Sequence, residues 1–343
     1  MAVDVPSGLF ADHINLEGAI VQADLTITFQ RPKLSFLIPE TGQSVGDWIT
    51  VDIGLNEGFI ESLNSSHFLV NDQILDVLPP RKKFQHKGSF GRVQVFAGSL
   101  GKMGAAYLCG KAVMRAGAGL LTMHTPACGM NILQTSLPEA MLTIDQSDNH
   151  ISNGTLFENT DAICFGPGVG VEGKTVKNFK QLLLSHPKNL VVDADGLNIL
   201  ASYSELMDFL PKGTILTPHV KEFHRLFGMH EDGLARIETA KTVAIHRKLV
   251  IVLKGAHTAV VDSEGNVYFN STGNVGMATA GSGDVLAGII TGFLAQGITP
   301  RDAALIGVFV HGKAGDLAAK KIGKISLMAS DLLSFLPEAM HNE

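Results

Sequence analysis

The sequence predicts an α/β fold, a mostly parallel sheet with helices on both faces, preceded by a small N-terminal piece. Three observations predict it. Short apolar runs, several rich in β-branched residues and bounded by Gly, Pro or Asp, recur along the chain. Helical patterns lie between them, an alternation that implies right-handed crossovers and a doubly covered sheet. Glycine-rich motifs follow several of the runs, where such sheets bind ligands, outside the carboxyl ends of the strands.

In chain order, the front carries strand-like runs at 23–29 and 48–53. A two-strand fragment leaves edges unpaired and cannot form its own core, so it is expected to pack on the rest of the chain or on a neighbouring subunit. Residues 61–80, closed by Pro79-Pro80, read as a linker between an N-terminal piece at 1–60 and a main domain at 81–343. Strands follow at 93–97, 120–125, 162–165, 190–192, 214–216 and 249–253, each too short for a helix and apolar enough for a buried parallel sheet. Helices are expected at 104–116 ending on Gly117, at 176–185, at 197–209, and at 222–227 ending on Gly228. Residues 260–268 read as a hairpin, and the charge-free run 285–300 as a buried helix.

Composition narrows the function classes. With 343 residues and 45% of them hydrophobic, the chain can bury one large core with a small appendage. A net charge of −6, with no basic block longer than Arg81-Lys82-Lys83, argues against a nucleic-acid partner. The run 285–300 is too short and too interrupted for a bilayer, and the N-terminus shows no basic region followed by an apolar core, so no membrane association is expected. Cys109, Cys128 and Cys164 are odd in number and widely spaced, which reads as reduced thiols and suits the cytoplasm.

The chemistry concentrates at Thr279-Ala280-Gly281-Ser282-Gly283-Asp284, which opens the charge-free run. Glycines let the backbone approach a ligand, the amides opening the helix face an anion, and a carboxylate stands at the mouth. Asp284 there is either a plain cap or a base that takes a proton from a hydroxyl while the amides hold a phosphoryl group in transit. A rival phosphate site is written at Gly168-Val169-Gly170-Val171-Glu172-Gly173-Lys174-Thr175, which satisfies the Walker A pattern letter for letter, with Asp193 after an apolar run as its Walker B partner. It would make the chain a P-loop NTPase. The spacing Gly98, Gly101, Gly104 does not fit the nicotinamide fingerprint of a Rossmann fold.

Four further segments accompany the Asp284 motif in order. They are His86-Lys87-Gly88-Ser89-Phe90-Gly91 running into Ala97-Gly98-Ser99, then Phe165-Gly166-Pro167-Gly168-Val169-Gly170, Leu216-Thr217-Pro218-His219-Val220-Lys221-Glu222-Phe223, and Leu253-Lys254-Gly255-Ala256-His257-Thr258. From about Leu78 to Pro337 the chain resembles the ADP- or ATP-dependent NAD(P)H-hydrate dehydratases, a branch of the ribokinase-like superfamily. The front, Val3-Asp4-Val5-Pro6-Ser7-Gly8-Leu9 with Ala23-Asp24-Leu25 and Val51-Asp52-Ile53-Gly54, resembles the last part of an NAD(P)H-hydrate epimerase domain. It reads as a truncated remnant of that Rossmann-like domain, without epimerase activity.

The resemblance implies a ribokinase-like sheet and a nucleotide-driven dehydration of hydrated NADH or NADPH, with ADP favoured over ATP and Mg2+ as the metal. It implies Asp284 as catalytic base and contacts to the hydrated dinucleotide from Ala105, Gly168 or Gly170, and His219. Lys254, Gly255, Ala256, His257 and Thr258 would hold the nucleotide, with Gly281, Ser282 and Gly283 beside it. Glu222 stands where the superfamily keeps a carboxylate that organises magnesium and phosphate, and His219 replaces the Asn usual in its sugar kinases, which lowers a small-molecule kinase reading. Asp4 and Ser7 match a substrate contact and a potassium ligand of the epimerase. Relatives assemble as homo-oligomers, so a homo-oligomer is expected.

Overall fold

Two sheets organise residues 1–15 and 17–341, the part of the chain that the computed structural model describes. The smaller is parallel and runs β1 (Ala2–Val3), β2 (Leu25–Phe29), β3 (Asp47–Val51), accompanied by the short helices α1 (Leu34–Leu37), α2 (Pro39–Gly42) and α3 (Glu57–Ser62). The larger holds ten strands: β4 (His67–Leu69), β5 (Arg92–Phe96), β6 (Leu120–Thr125), β7 (Met141–Ile144), β8 (Ala162–Phe165), β9 (Leu190–Val192), β10 (Ile215–Leu216), β11 (Val250–Leu253), β12 (Thr258–Val261) and β13 (Val267–Asn270). Their order across the sheet is β4-β13-β12-β11-β10-β9-β8-β5-β6-β7, and among the described strands only β12 runs against the rest.

Helices cover both faces. They are α4 (Met103–Arg115), α5 (Met130–Ser136), α6 (Gly173–Leu184), α7 (Asp195–Ser202), α8 (Val220–Phe227), α9 (Gly233–Arg247), α10 (Ser282–Ala295), α11 (Pro300–Ile322) and α12 (Ala329–Ala339). Strand alternation assigns the faces: Val250 and Val252 of β11 join the core of α4, α10, α11 and α12, whereas Ile251 between them joins Ile237 and Ala240 of α9. Helix α10 is buried at every residue from Val285 to Ala295, which is why that stretch carries no charge. It lies so close on α4 that a Cβ added at Gly288 would stand 2.3 Å from the Cys109 carbonyl oxygen.

The expected strands and the hairpin form, with β6, β8 and β9 matching the sequence reading residue for residue. Two elements differ. Residues 61–80 are more than a connector, because His67–Leu69 pairs with β13 as the edge strand of the large sheet. The helix expected over 197–209 breaks at Tyr203, whose non-helical backbone, φ −131 and ψ 70, separates α7 from a 3-10 turn, Ser204–Phe209.

The N-terminal segment packs on the main domain. Leu9, Phe36, Leu37, Ile38 and Val45 share one core with Phe223, Ile237, Ala259 and Phe269. Glu40 then holds the start of α9, accepting from the Gly233 amide at 3.1 Å and pairing with Arg236 at 3.0 Å. All three cysteines are free thiols, with Cys109 and Cys164 buried 3.8 Å apart and Cys128 partly exposed. Among the described residues no helix is long and apolar enough to cross a membrane.

Candidate active site

The loops leaving the carboxyl ends of β8, β9, β10 and β11 converge on the first turn of α10. Asp193, directly after β9, is buried, and its Oδ1 accepts from Thr217 Oγ1 at 2.7 Å and from Lys254 Nζ at 2.8 Å. Lys254 follows β11 and is fixed in height by a bridge to His219 and by its amide donating to the Pro218 carbonyl at 3.0 Å. Glu222 Oε2 lies 3.8 Å from the same ammonium. Burial alone would depress the Lys254 pKa, but the carboxylates of Asp193 and Glu222 outweigh it and raise it, so the cation persists. Burial pushes Glu222 up, against the pull of Lys254.

His219 caps α8. Its Nδ1 accepts from the Lys221 and Glu222 amides at 3.1 and 3.2 Å, while Glu222 Oε2 accepts from the His219 amide at 2.8 Å. With Nδ1 committed, the neutral ring carries its proton on Nε2, which lies 3.5 Å from Glu222 Oε1 on a half-exposed ring edge. Burial, then the nearby Lys254 and Arg225 charges, keep that ring neutral by lowering its pKa. The cap and the ligand-facing roles are therefore compatible in one residue.

Gly281, at φ +88, turns the chain into α10, and no side chain caps the amides that open this helix. Gly283 stands against the charge cluster: a Cβ there would be 3.3 Å from Lys254 Nζ and 3.8 Å from Asp193 Oδ2. Asp284, in the same first turn, is pushed up to about 7, first by burial and next by Asp193, with Asp195 and Glu222 adding and Lys254 opposing. A carboxyl with that proton affinity is suited to exchange a proton with a substrate hydroxyl near neutral pH.

On the other side of Asp193 the second glycine turn closes the site. Gly168 and Gly170 have φ of +65 and +81, and a Cβ on Gly168 would stand 3.2 Å from Ala105 Cβ. Ser99 Oγ donates to the Gly168 carbonyl at 2.7 Å, tying the turn after β5 to the turn after β8. Asp195 Oδ2 accepts from the Gly170 amide at 2.9 Å and from Lys102 at 3.1 Å. Between the two aspartates, Ala194 adopts φ +49 with ψ −116, a sparsely populated backbone costing a non-glycine residue about 1–3 kcal/mol. In the loop after β11, Gly255 and Ala256 are exposed and Thr258 Oγ1 closes a turn on the Gly255 carbonyl at 3.2 Å. His257 Nδ1 is buried with no hydrogen-bond partner among the described residues.

The structure thus brings Ala105, Gly168, Gly170, His219, Glu222, Lys254 and the Gly281-Ser282-Gly283-Asp284 turn to one rim of the sheet. Residues 168–175 are a different matter as a Walker A loop: Lys174 is exposed and the buried Thr175 hydroxyl donates to the Ile151 carbonyl at 2.8 Å, instead of facing a metal and phosphate. Asp4 and Ser7 lie elsewhere, in the N-terminal segment, where Asp4 pairs with Lys33 at 2.9 Å and accepts from the Phe29 amide. Sequence reasoning missed Asp195, Lys102 and His311, and met Asp193 only as part of the wrong motif. A signal for the aspartates existed: two carboxylates flanking one residue at a strand's carboxyl end.

A sequence model described as NAD(P)H-hydrate dehydratase matches residues 93–338. The chain belongs to that family. A second model, the YjeF-related protein N-terminus, matches residues 1–35. The bifunctional NAD(P)H-hydrate repair enzyme of Moorella thermoacetica is 39% identical, over 100% of this chain and 67% of its own length. That of Escherichia coli is 34% identical, over 100% of this chain and 65% of its own. The chain therefore spans about two thirds of these relatives. Among solved structures, the ADP/ATP-dependent NAD(P)H-hydrate dehydratase of Bacillus subtilis, co-crystallised with ATP and Mg2+, matches with a TM-score of 0.68 and 30% identity, covering 78% of this chain and 95% of that one. A ribokinase-like superfamily protein of Enterococcus faecalis matches with a TM-score of 0.70 and 27% identity, covering 81% and 96%. This dehydratase-family chain thus has the ribokinase-like fold, and its family supports the dehydratase reading over the P-loop one.

Proposed function

We propose that this chain returns the S-form of hydrated NADH or NADPH to NAD(P)H at the expense of ADP or ATP. The observation that carries the reading is Asp284, a carboxyl pushed up to about 7 in the first turn of an uncapped helix beside Lys254. A hydroxyl on C6 of the reduced ring is a poor leaving group, and phosphate is a good one. Asp284 takes the hydroxyl proton as the oxygen attacks the terminal phosphorus of the nucleotide, whose phosphoryl bond breaks to release AMP or ADP. The Gly283 and Asp284 amides, with Lys254, face the charge in transit. The ring nitrogen then supplies the electron pair that expels phosphate, and loss of a proton from the adjacent ring carbon restores the dihydronicotinamide.

Among the described residues no three acidic, His or Cys side chains converge as a metal cage. Glu222 and Asp193 are two carboxylates beside an anion-facing turn, a set that fits Mg2+ shared with nucleotide phosphates and waters. Bound there, it would neutralise charge on the transferred group. The glycine turn at Gly168 and Gly170, with Ala105 and the half-exposed ring of His219, would receive the hydrated dinucleotide. Lys254 to Thr258 would receive the nucleotide. The three free thiols suit a reducing, cytoplasmic setting. The test is stoichiometry: with hydrate, ADP and Mg2+, one AMP and one phosphate should form for each NADH regenerated. Phosphate release uncoupled from NADH would refute the proposed sequence.

A further inference from the structure

His311, on α11, touches the phosphoryl cradle from behind. Its Nε2 lies 3.0 Å from the Ser282 carbonyl oxygen and 3.3 Å from Ser282 Oγ. A carbonyl only accepts, so Nε2 carries the proton and donates it. The ring is neutral: burial takes its pKa down to about 4, and Lys254 pushes the same way against the bond to Ser282. The peptide that supplies the Ser282 carbonyl also supplies the Gly283 N–H, and the two point in opposite directions because the unit is planar and trans. Holding the oxygen therefore aims the amide.

This hold adds to that of the helix, whose first turn is closed by the Val285 amide donating to the Gly281 carbonyl at 3.1 Å. Gly281 and Gly283 flank Ser282, glycines being the most permissive backbone positions, and the bond from the Ser282 amide to the Thr279 carbonyl is long at 3.4 Å. The partner helix is itself brought close. A Cβ on Gly312 would stand 2.2 Å from Thr272 Oγ1, and one on Gly315 2.1 Å from Met277 Sδ, so α11 and the chain leading to the cradle are in direct contact.

We propose that His311 is a positioning residue for phosphoryl transfer, which fixes the Ser282-Gly283 peptide so that the Gly283 amide faces the transferred group. The proposal rests on the phosphoryl-transfer reading of the site. Two variants test it: His311→Leu removes the donor, and His311→Gln returns an N–H at similar reach. His311→Leu should lower kcat and kcat/KM together by about 10- to 100-fold, as for an interaction made only in the transition state, less than the ~10²–10³ of deleting an oxyanion donor outright. The KM for ADP should stay nearly unchanged, and His311→Gln should recover most of the rate.

Amide hydrogen exchange over residues 279–285 gives an answer that needs no turnover, faster in the Leu variant and near wild type in the Gln variant. A Leu variant with wild-type kcat and exchange would overturn the proposal, as would a Gln variant no better than Leu in both. If the wild-type protein fails to turn over the hydrate at all, the phosphoryl-transfer reading falls, and unchanged exchange in the Leu variant would remove the positioning role separately.

Discussion

Asp284 carries a carboxyl whose proton affinity is set by burial and by three neighbouring carboxylates against one lysine. As a base it works only when ionised, so kcat/KM for the hydrate should climb about tenfold per pH unit below a midpoint near 7 and level off above it. A profile flat through the neutral range would contradict the assignment. Asp284→Asn keeps the size but not the basicity, and turnover should fall by about 10²–10⁴ while nucleotide still binds. Lys254→Ala removes a charged donor and should weaken nucleotide binding by about 1.5–3 kcal/mol, whereas Lys174→Ala, an exposed change, should cost under about 0.5 kcal/mol. Titration calorimetry with ADP distinguishes them, and the reverse ranking would restore the P-loop. Asp284, Lys254 and His219 were legible in the sequence because each sits in a local motif. Lys102 and His311 were not, since their meaning arises from partners 93 and 29 residues away.

The N-terminal segment and α9 form one packed element. Ile38 is buried against this core, and Glu40 beside it satisfies the Gly233 amide that opens α9. Ile38→Ala should cost about 2–5 kcal/mol, seen as a lower denaturant midpoint with an unchanged slope. A neutral result would mean that the segment rests loosely on the domain. The central strands were legible as short apolar runs because both faces are buried. Edge strands escaped: β4 is three residues and β7 four, too short for a period to show, and neither contributes a fully buried residue. Helix α11 escaped for a different reason, since its buried Leu305, Ile306, Val308, Phe309 and Val310 with small Ala303, Ala304 and Gly307 make a near-continuous apolar run instead of a helical stripe.

At the scale of the molecule, one rim of a ribokinase-like sheet holds two glycine turns, one charge cluster and one uncapped helix, and the N-terminal segment packs beside that rim, where Leu37, Ile38 and Pro39 line a pocket with Pro218, Lys254, Gly255 and His257. The Asp4 carboxylate is already occupied by Lys33, Thr28 and the Phe29 amide, which supports the view that this chain does not epimerise its substrate. Given purified R-form hydrate with ADP and Mg2+, on a time scale where spontaneous epimerisation is slow, it should leave that form unrepaired. Prompt consumption of the R-form, lost in Asp4→Ala, would show an epimerase site. The most direct test of the central claim follows absorbance at the NADH band while S-form hydrate is incubated with the protein, with and without ADP or ATP. The account predicts that the band returns only when nucleotide is present and fails to return with Asp284→Asn. Recovery without nucleotide, or nucleotide breakdown with no recovery, would contradict it.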